Sequence, residues 1–188
     1  MIRTATAADT PALTTALARA FHDDPVAGYA LPSEKKRPEQ LRRFYVERMR
    51  TLLQDELVFC DDDRHAAALW AAPDNWRTPL GELLRTRIVS WRTPLFLVGG
   101  MRVEHRHPTE PHYYLAILGV DPAAQGTGLG SKIVQPMLDR CDTEGVPAYL
   151  ESSKQSNVPF YERHGFRVTG EVTLPLGPPL WLMWRDPR

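Results

Sequence analysis

Two cysteines in 188 residues, Cys60 and Cys141, stand 81 positions apart, with no Cys-x-x-Cys pair and no clustered histidines beside them. That excludes a disulfide framework and a structural zinc site of ordinary spacing, and makes a reducing, cytoplasmic setting the expectation. No metal site is expected. No apolar run approaches the roughly 18 residues that a bilayer demands, and Met1-Ile2-Arg3-Thr4-Ala5 has no apolar segment behind its one positive charge. No membrane partner is expected. An excess of one charge is missing too, since 23 Lys and Arg balance 23 Asp and Glu. Without an overall cationic field to grip a phosphate backbone, nucleic acid is not an expected partner. With 17 prolines and 12 glycines the chain also lies below the level of disordered low-complexity sequence.

What is present is a core. Apolar and aromatic residues make up 43% of the chain, enough for one compact domain spanning residues 1–188. Ile2 to Ala5 reads as a short strand, and Asp9-Thr10-Pro11 opens a helix to about His22 whose apolar face is Leu13, Ala16, Leu17, Ala20 and Phe21. Asp23-Asp24-Pro25 reads as a turn. A second amphipathic helix spans about Pro38 to Leu53, and Glu56–Cys60 and Ala66–Ala71 read as antiparallel strands joined at Asp61-Asp62-Asp63-Arg64. From Thr78 to Arg106 the periodicity of Leu80, Leu83, Leu84 and Ile88, interrupted at Thr93-Pro94 and at Gly99-Gly100, gives two helices. Tyr113-Tyr114-Leu115-Ala116-Ile117-Leu118-Gly119-Val120 is continuously apolar, as a central strand covered on both faces should be. Helix from about Leu129 to Glu144, strand Pro147–Ser152, helix Val158–His164, strand Phe166–Thr173 and a last strand around Leu180–Trp184 follow. The class is α/β or α+β: a mixed central sheet of about six to seven strands with helices on both faces.

The chemistry concentrates where the central strand turns into a helix, Val120-Asp121-Pro122-Ala123-Ala124-Gln125-Gly126-Thr127-Gly128-Leu129-Gly130-Ser131-Lys132. Three alternate glycines bring backbone close to a ligand and leave N–H groups unpaired at a helix N-terminus, which favours an anion. A P-loop needs Gly-Lys-Ser/Thr, whereas Gly130-Ser131-Lys132 transposes the lysine and the hydroxyl. A dinucleotide fingerprint needs G-x-G-x-x-G, and the glycines here read G-x-G-x-G. Both nucleotide motifs fail on register.

The stretch does match Gln-x-x-Gly-x-Gly at Gln125, Gly128 and Gly130, and here the sequence resembles the GCN5-related N-acetyltransferase (GNAT) superfamily. A second segment agrees: Asn157-Val158-Pro159-Phe160-Tyr161-Glu162-Arg163-His164-Gly165-Phe166 resembles the superfamily's Asn-x-x-x-x-Tyr-x-x-x-Gly-Phe. Ala66–Pro73, Leu115–Ser131, Ala148–Ser153 and Trp181-Leu182-Met183 are similar to its puromycin N-acetyltransferase-like branch, and the likeness is loose over 30–60 and 75–110.

The resemblance implies the GNAT fold and acetyl transfer from acetyl-CoA to a primary amine of a small molecule in a ternary complex. Leu118, Gly119 and Val120 would pair with the pantetheine arm. Gln125, Gly126, Thr127, Gly128, Leu129, Gly130 and Ser131 would hold the pyrophosphate, with Asn157 also on the cofactor side. Tyr161 would donate a proton to the departing thiolate. Glu151, a carboxylate interrupting an apolar strand, shares a face with Tyr149 and Ser153 and is the candidate base, with a hydrogen-bonding or rim role as its alternative. Asn157 or Ser156 could cap the helix that carries Tyr161, and Gly165 could end it. The acceptor side falls to Phe21, Asp24, Tyr45 and Trp70, aromatic surface plus negative charge for an ammonium, although Trp70 on a strand suits a core equally well. His105, His107 and His112 lack metal-ligand spacing. A peptide amine is the alternative acceptor, and a CoA-binding sensor the non-enzymatic alternative. The exposed strand ends and the Trp-rich last strand suit a homodimer without requiring one.

Overall fold

A computed structural model describes residues 1–73 and 75–188. Its elements in chain order are β1 (Ile2–Thr4), α1 (Thr10–Ala20), α2 (Pro25–Ala30), α3 (Arg37–Leu52), β2 (Val58–Asp61), β3 (Ala66–Ala71), α4 (Leu80–Thr86), α5 (Thr93–Arg106), β4 (Tyr113–Val120), α6 (Leu129–Glu144), β5 (Ala148–Ser152), α7 (Val158–Arg163), β6 (Arg167–Thr173) and β7 (Pro179–Arg185). The side chains of Leu80 and Leu83, two positions of the helical periodicity, lie outside the described residues. The strands form one seven-stranded sheet in the order β1-β2-β3-β4-β5-β7-β6. Only the β4–β5 pair is parallel. No helix among the described residues is long and apolar enough to cross a membrane.

The sheet is apolar on both faces because helices cover both. On one side Leu13 and Leu17 of α1 and Leu41, Tyr45, Met49 and Leu52 of α3 pack on Val58, Cys60, Ala67, Leu69 and Ile117. On the other, Ile133, Val134, Met137, Leu138 and Cys141 of α6 pack on Ala66, Ala68, Trp70, Leu115, Ala148 and Leu150. β3 is buried along its whole length, which is why its alternation is silent about which face each residue takes. In β4 the alternation switches. The partner of Leu69 is Ile117 and that of Trp70 is Leu115, so Ala116 is an extra residue, a β-bulge. Tyr113 and Leu115 therefore face α6 while Ile117 faces α1 and α3.

Several boundaries correct the sequence reading. Asp24 belongs to no simple turn: its Oδ1 accepts from the Val26 and Ala27 N–H groups and starts α2, with Pro25 in the first turn. β2 begins at Val58 because Glu56 takes a left-handed conformation (φ 56°) at the end of a 3-10 turn. Thr93-Pro94 opens α5 and Gly99-Gly100 lies inside it, where Gly99 lets the helix sit on Leu174 and Pro175. The Trp-rich β7 lies between β5 and β6, so it offers no edge for a second copy; β1 and β6 are the edge strands.

Candidate active site

β4 and β5 pair only at Tyr113–Ala148 and Tyr114–Tyr149. Beyond that point β4 runs on to Val120 and β5 to Ser152 without further pairing, and the sheet opens as a V. The bulge at Ala116 sits where the strands part. The edge of Leu118-Gly119-Val120 turned away from β3 is thus left without a strand partner. Gly119 has a second duty. A Cβ there would meet Leu17 Cδ2 at 2.6 Å and Phe21 Cε2 at 3.0 Å, so its lack of a side chain lets α1 lie against the strand.

The chain then turns into α6. Asp121 accepts from the Ala123 N–H at 3.0 Å and from Arg19 at 3.2 Å, Gln125 Nε2 donates to Val120 O at 3.1 Å, and Thr127 Oγ1 to Ala124 O at 2.8 Å. Gly126 and Gly128 have φ of 77° and 78°, a region costly to residues with a Cβ. No side chain caps α6, so its first-turn N–H groups, on Leu129, Gly130 and Ser131, meet the mouth of the V with the positive end of the helix dipole behind them. Gln125, Gly126, Thr127 and Gly128 are exposed there. Gly130 packs near Phe160 and Val120, drawing α6, α7 and β4 together. Uncapped N–H groups and the dipole at this end of α6 have the chemistry to accept an anion, and they lie beside the unpaired edge of β4.

Tyr161 stands on α7, which Gly165 ends at φ 89°. Neither Asn157 nor Ser156 caps that helix with its side chain, correcting the expectation; Pro159 occupies the first turn instead, and Asn157 is exposed. The Tyr161 ring packs edge-on against Phe160 and Phe166. Burial, and then the nearby Asp24 carboxylate, hold its phenol pKa well above the ordinary value. It therefore remains a donor throughout the neutral range.

Three of the four acceptor-side candidates gather in one place. Phe21 and Tyr45 have ring centroids 5.7 Å apart, and Asp24 is near enough to raise the phenol pKa of Tyr45 after burial has done most of it. Asp24 is itself buried, and its second oxygen accepts from the Ser153 hydroxyl at the end of β5. Its charge acts on the cleft, but both its oxygens are engaged by the chain. Two of the candidates are corrections: Trp70 is fully buried in the core under α6 and Tyr45 is buried in the core under α3, so neither presents surface to a ligand, whereas Phe21 is half-buried.

Glu151 does share a face with Tyr149 and Ser153, and it is the hub of a buried polar cluster. Its Oε2 accepts from the Tyr114 hydroxyl at 2.6 Å, and its Oε1 lies 3.3 Å from His107 Nδ1. His107 Nε2 is 3.0 Å from His112 Nε2, and His112 Nδ1 is 2.6 Å from the Glu110 carbonyl. Trp76 stacks on His107 at 3.5 Å between centroids. Burial, then the Glu151 charge, push the phenol pKa values of Tyr114 and Tyr149 well up. Sequence reasoning noted both histidines without giving them a role. No local spacing joins them to a carboxylate 44 positions away; the only signal was a histidine pair just ahead of the central strand.

A family model described as the acetyltransferase (GNAT) family matches residues 39–166, and the chain belongs to that family. It is an acyltransferase enzyme of the GNAT fold. Among its relatives is an uncharacterised N-acetyltransferase of Schizosaccharomyces pombe, 29% identical over 92% of this chain and 77% of the relative. A mycothiol acetyltransferase of Nocardiopsis dassonvillei is 29% identical over 73% of this chain and 47% of its own length. Among solved structures, a Corynebacterium glutamicum protein described as histone acetyltransferase HPA2 and related acetyltransferase superposes with a TM-score of 0.74 at 24% identity, over 100% of this chain and 96% of that one. The paiA N-acetyltransferase of Thermoplasma acidophilum, solved with coenzyme A, gives 0.60 at 12% identity over 99% of this chain and 98% of that one.

Proposed function

We infer that this enzyme transfers the acetyl group of acetyl-CoA to a primary amine of a small molecule by direct attack in a ternary complex. The observation that carries this reading is the convergence, at one mouth, of the parted β4 and β5, the uncapped N-terminus of α6 and the Tyr161 phenol. In this reading the pyrophosphate of acetyl-CoA sits on Gln125 to Ser131, and its pantetheine arm lies along Leu118 to Val120. The thioester then falls near Tyr161, a backbone N–H at the end of β4 steadies the oxyanion, and Tyr161 donates to the departing thiolate. Glu151 takes the amine proton, directly or through water.

Direct attack is favoured over an acetylated enzyme because the only two thiols are buried and held protonated. Burial raises Cys60 and takes Cys141 to about 12. Their freedom from a disulfide suits a reducing, cytoplasmic setting. For the acceptor, the half-buried Phe21 ring and the charge of Asp24 favour a small cationic amine with a planar or apolar body, and the sequence resemblance makes puromycin-like aminonucleosides the first class to try.

The test is thiol release from acetyl-CoA with puromycin, other aminonucleosides, arylalkylamines, polyamines, aminoglycosides and short peptides, beside a thermal-shift titration with CoA. A CoA shift with turnover on a small amine supports the reading. Turnover on peptides alone moves the acceptor class, and no CoA shift removes the cosubstrate.

A further inference from the structure

We propose that Glu151 works as one unit with His107 and His112, a buried chain that holds one shared proton at rest and uses its deprotonated form to take the proton of the incoming amine. The inference rests on Glu151 being the base proposed above.

Three contacts run in series: the Glu110 carbonyl to His112 Nδ1, His112 Nε2 to His107 Nε2, and His107 Nδ1 to Glu151 Oε1. Each needs one hydrogen. The carbonyl can only accept, so His112 Nδ1 carries a proton. Two neutral imidazoles bring two protons and an ionised carboxylate brings none. The third contact is closed only when the chain holds one proton more, shared between the imidazoles and Glu151. Tyr114 cannot supply it, since its own hydrogen is spent on Glu151 Oε2.

The surroundings leave that proton to the chain. Tyr114 of β4 and Tyr149 of β5 face it as neutral phenols, and Trp76 and the edge of Trp184 of β7 close it off from water. The His107 and Glu151 side chains are 2% and 8% exposed. Arg48 of α3 lies near Tyr114 but is paired with Glu82 of α4 at 3.7 Å, and Glu104 of α5 is occupied by Arg77 at 2.8 Å.

In the reaction, loss of the shared proton leaves His107 Nδ1 and Glu151 Oε1 as two acceptors face to face, and Oε1 turns toward the cleft. An ammonium R–NH3⁺ gives its proton to Oε1, the N–H bond breaks, and the O–H so formed passes the proton to His107 Nδ1. The free amine attacks the thioester, Tyr161 protonates the departing thiolate and is restored by the amine's second proton, and the chain returns the first to solvent. His107 and His112 are thus positioning residues that act through Glu151.

The test measures kcat/KM against pH for the wild type, His107→Gln, His112→Gln and Glu151→Gln, together with long-range 1H–15N spectra of the histidines in the wild type. A glutamine keeps a hydrogen bond but cannot titrate. The expected outcome is an acid limb that moves to lower pH in His107→Gln, with a smaller shift in the same direction in His112→Gln. The spectra should show the Nδ1–H form at His112 and a shared proton at His107 lost over the wild-type limb. An unmoved limb in both histidine variants, or two neutral imidazoles beside an ionised Glu151 carboxylate below that limb (read from its 13C shift), overturns the proposal. Full turnover in Glu151→Gln with an intact acid limb instead removes Glu151 as base and leaves the spectral proton count standing apart from it.

Discussion

The Ser153 hydroxyl donates to the Asp24 carboxylate, joining the open end of β5 to the first turn of α2. One carboxylate thereby caps a helix, anchors the strand that carries Glu151 and charges the space before Tyr161. These duties separate by substitution. Asp24→Asn keeps a good cap and should change stability by less than about 1 kcal/mol, while Asp24→Ala should cost about 1–2 kcal/mol. Both remove one of the two causes that raise the Tyr161 phenol. Urea midpoints of the two variants check the first statement.

Tyr161→Phe removes a donor without emptying the space its ring fills. kcat should fall about 100-fold with KM for acetyl-CoA nearly unchanged, because in the proposed reaction the hydroxyl donates to the leaving thiolate. Since the phenol pKa is raised, its ionisation contributes no fall in rate below about pH 10. Steady-state rates at several pH values measure both.

The glycines divide by cause. Gly119→Ala drives a methyl into Leu17 and Phe21 and should cost about 1–3 kcal/mol of stability. Gly128→Ala meets no atom but must hold φ near 78°, at a cost of about 1 kcal/mol, and should weaken CoA binding by disturbing the anion site. Gly130→Ala finds its nearest neighbours at 3.5 Å, an ordinary contact, and should fold like the wild type. Denaturation and CoA titration of the three variants separate the roles.

Asp9 ties β1 to the start of α1. Its carboxylate accepts from both Arg3 guanidinium nitrogens at 2.8 Å, from Arg64 at 3.0 Å and from the Thr6 N–H at 2.9 Å. The Arg3 bond above all holds its pKa far below the ordinary range. A depressed folded-state value means this stability is complete above the unfolded carboxylate pKa of about 4 and is lost as pH falls below it. Asp9→Asn should cost about 2 kcal/mol at pH 7. It should also flatten the decline in melting temperature below pH 4, which calorimetry across pH detects.

The sequence was most legible where one residue pattern had one physical cause. The apolar run Tyr113–Val120 and the helix from Leu129 to Glu144 stand where periodicity put them, because buried strand and amphipathic helix leave distinct periods. The glycine-rich segment and the segment carrying Tyr161 lie side by side, with Gly130 next to Phe160. Less was legible where one residue serves two structures. Asp24 beside Pro25 has the composition of a turn and the geometry of a cap. Trp70 lies on a strand buried on both faces, so alternation could not tell pocket from core. The bulge at Ala116 leaves no mark in an apolar run, and the Glu151 chain of histidines exists only through contacts 5 and 44 positions apart.

Direct acetyl transfer in a ternary complex is tested most simply by initial rates over a grid of acetyl-CoA and acceptor concentrations, with the best amine from the thiol-release panel. Intersecting reciprocal plots, with no acetylated protein in the absence of acceptor, are the expected result. Parallel plots, with one acetyl group trapped on Cys60 or Cys141, would contradict the account.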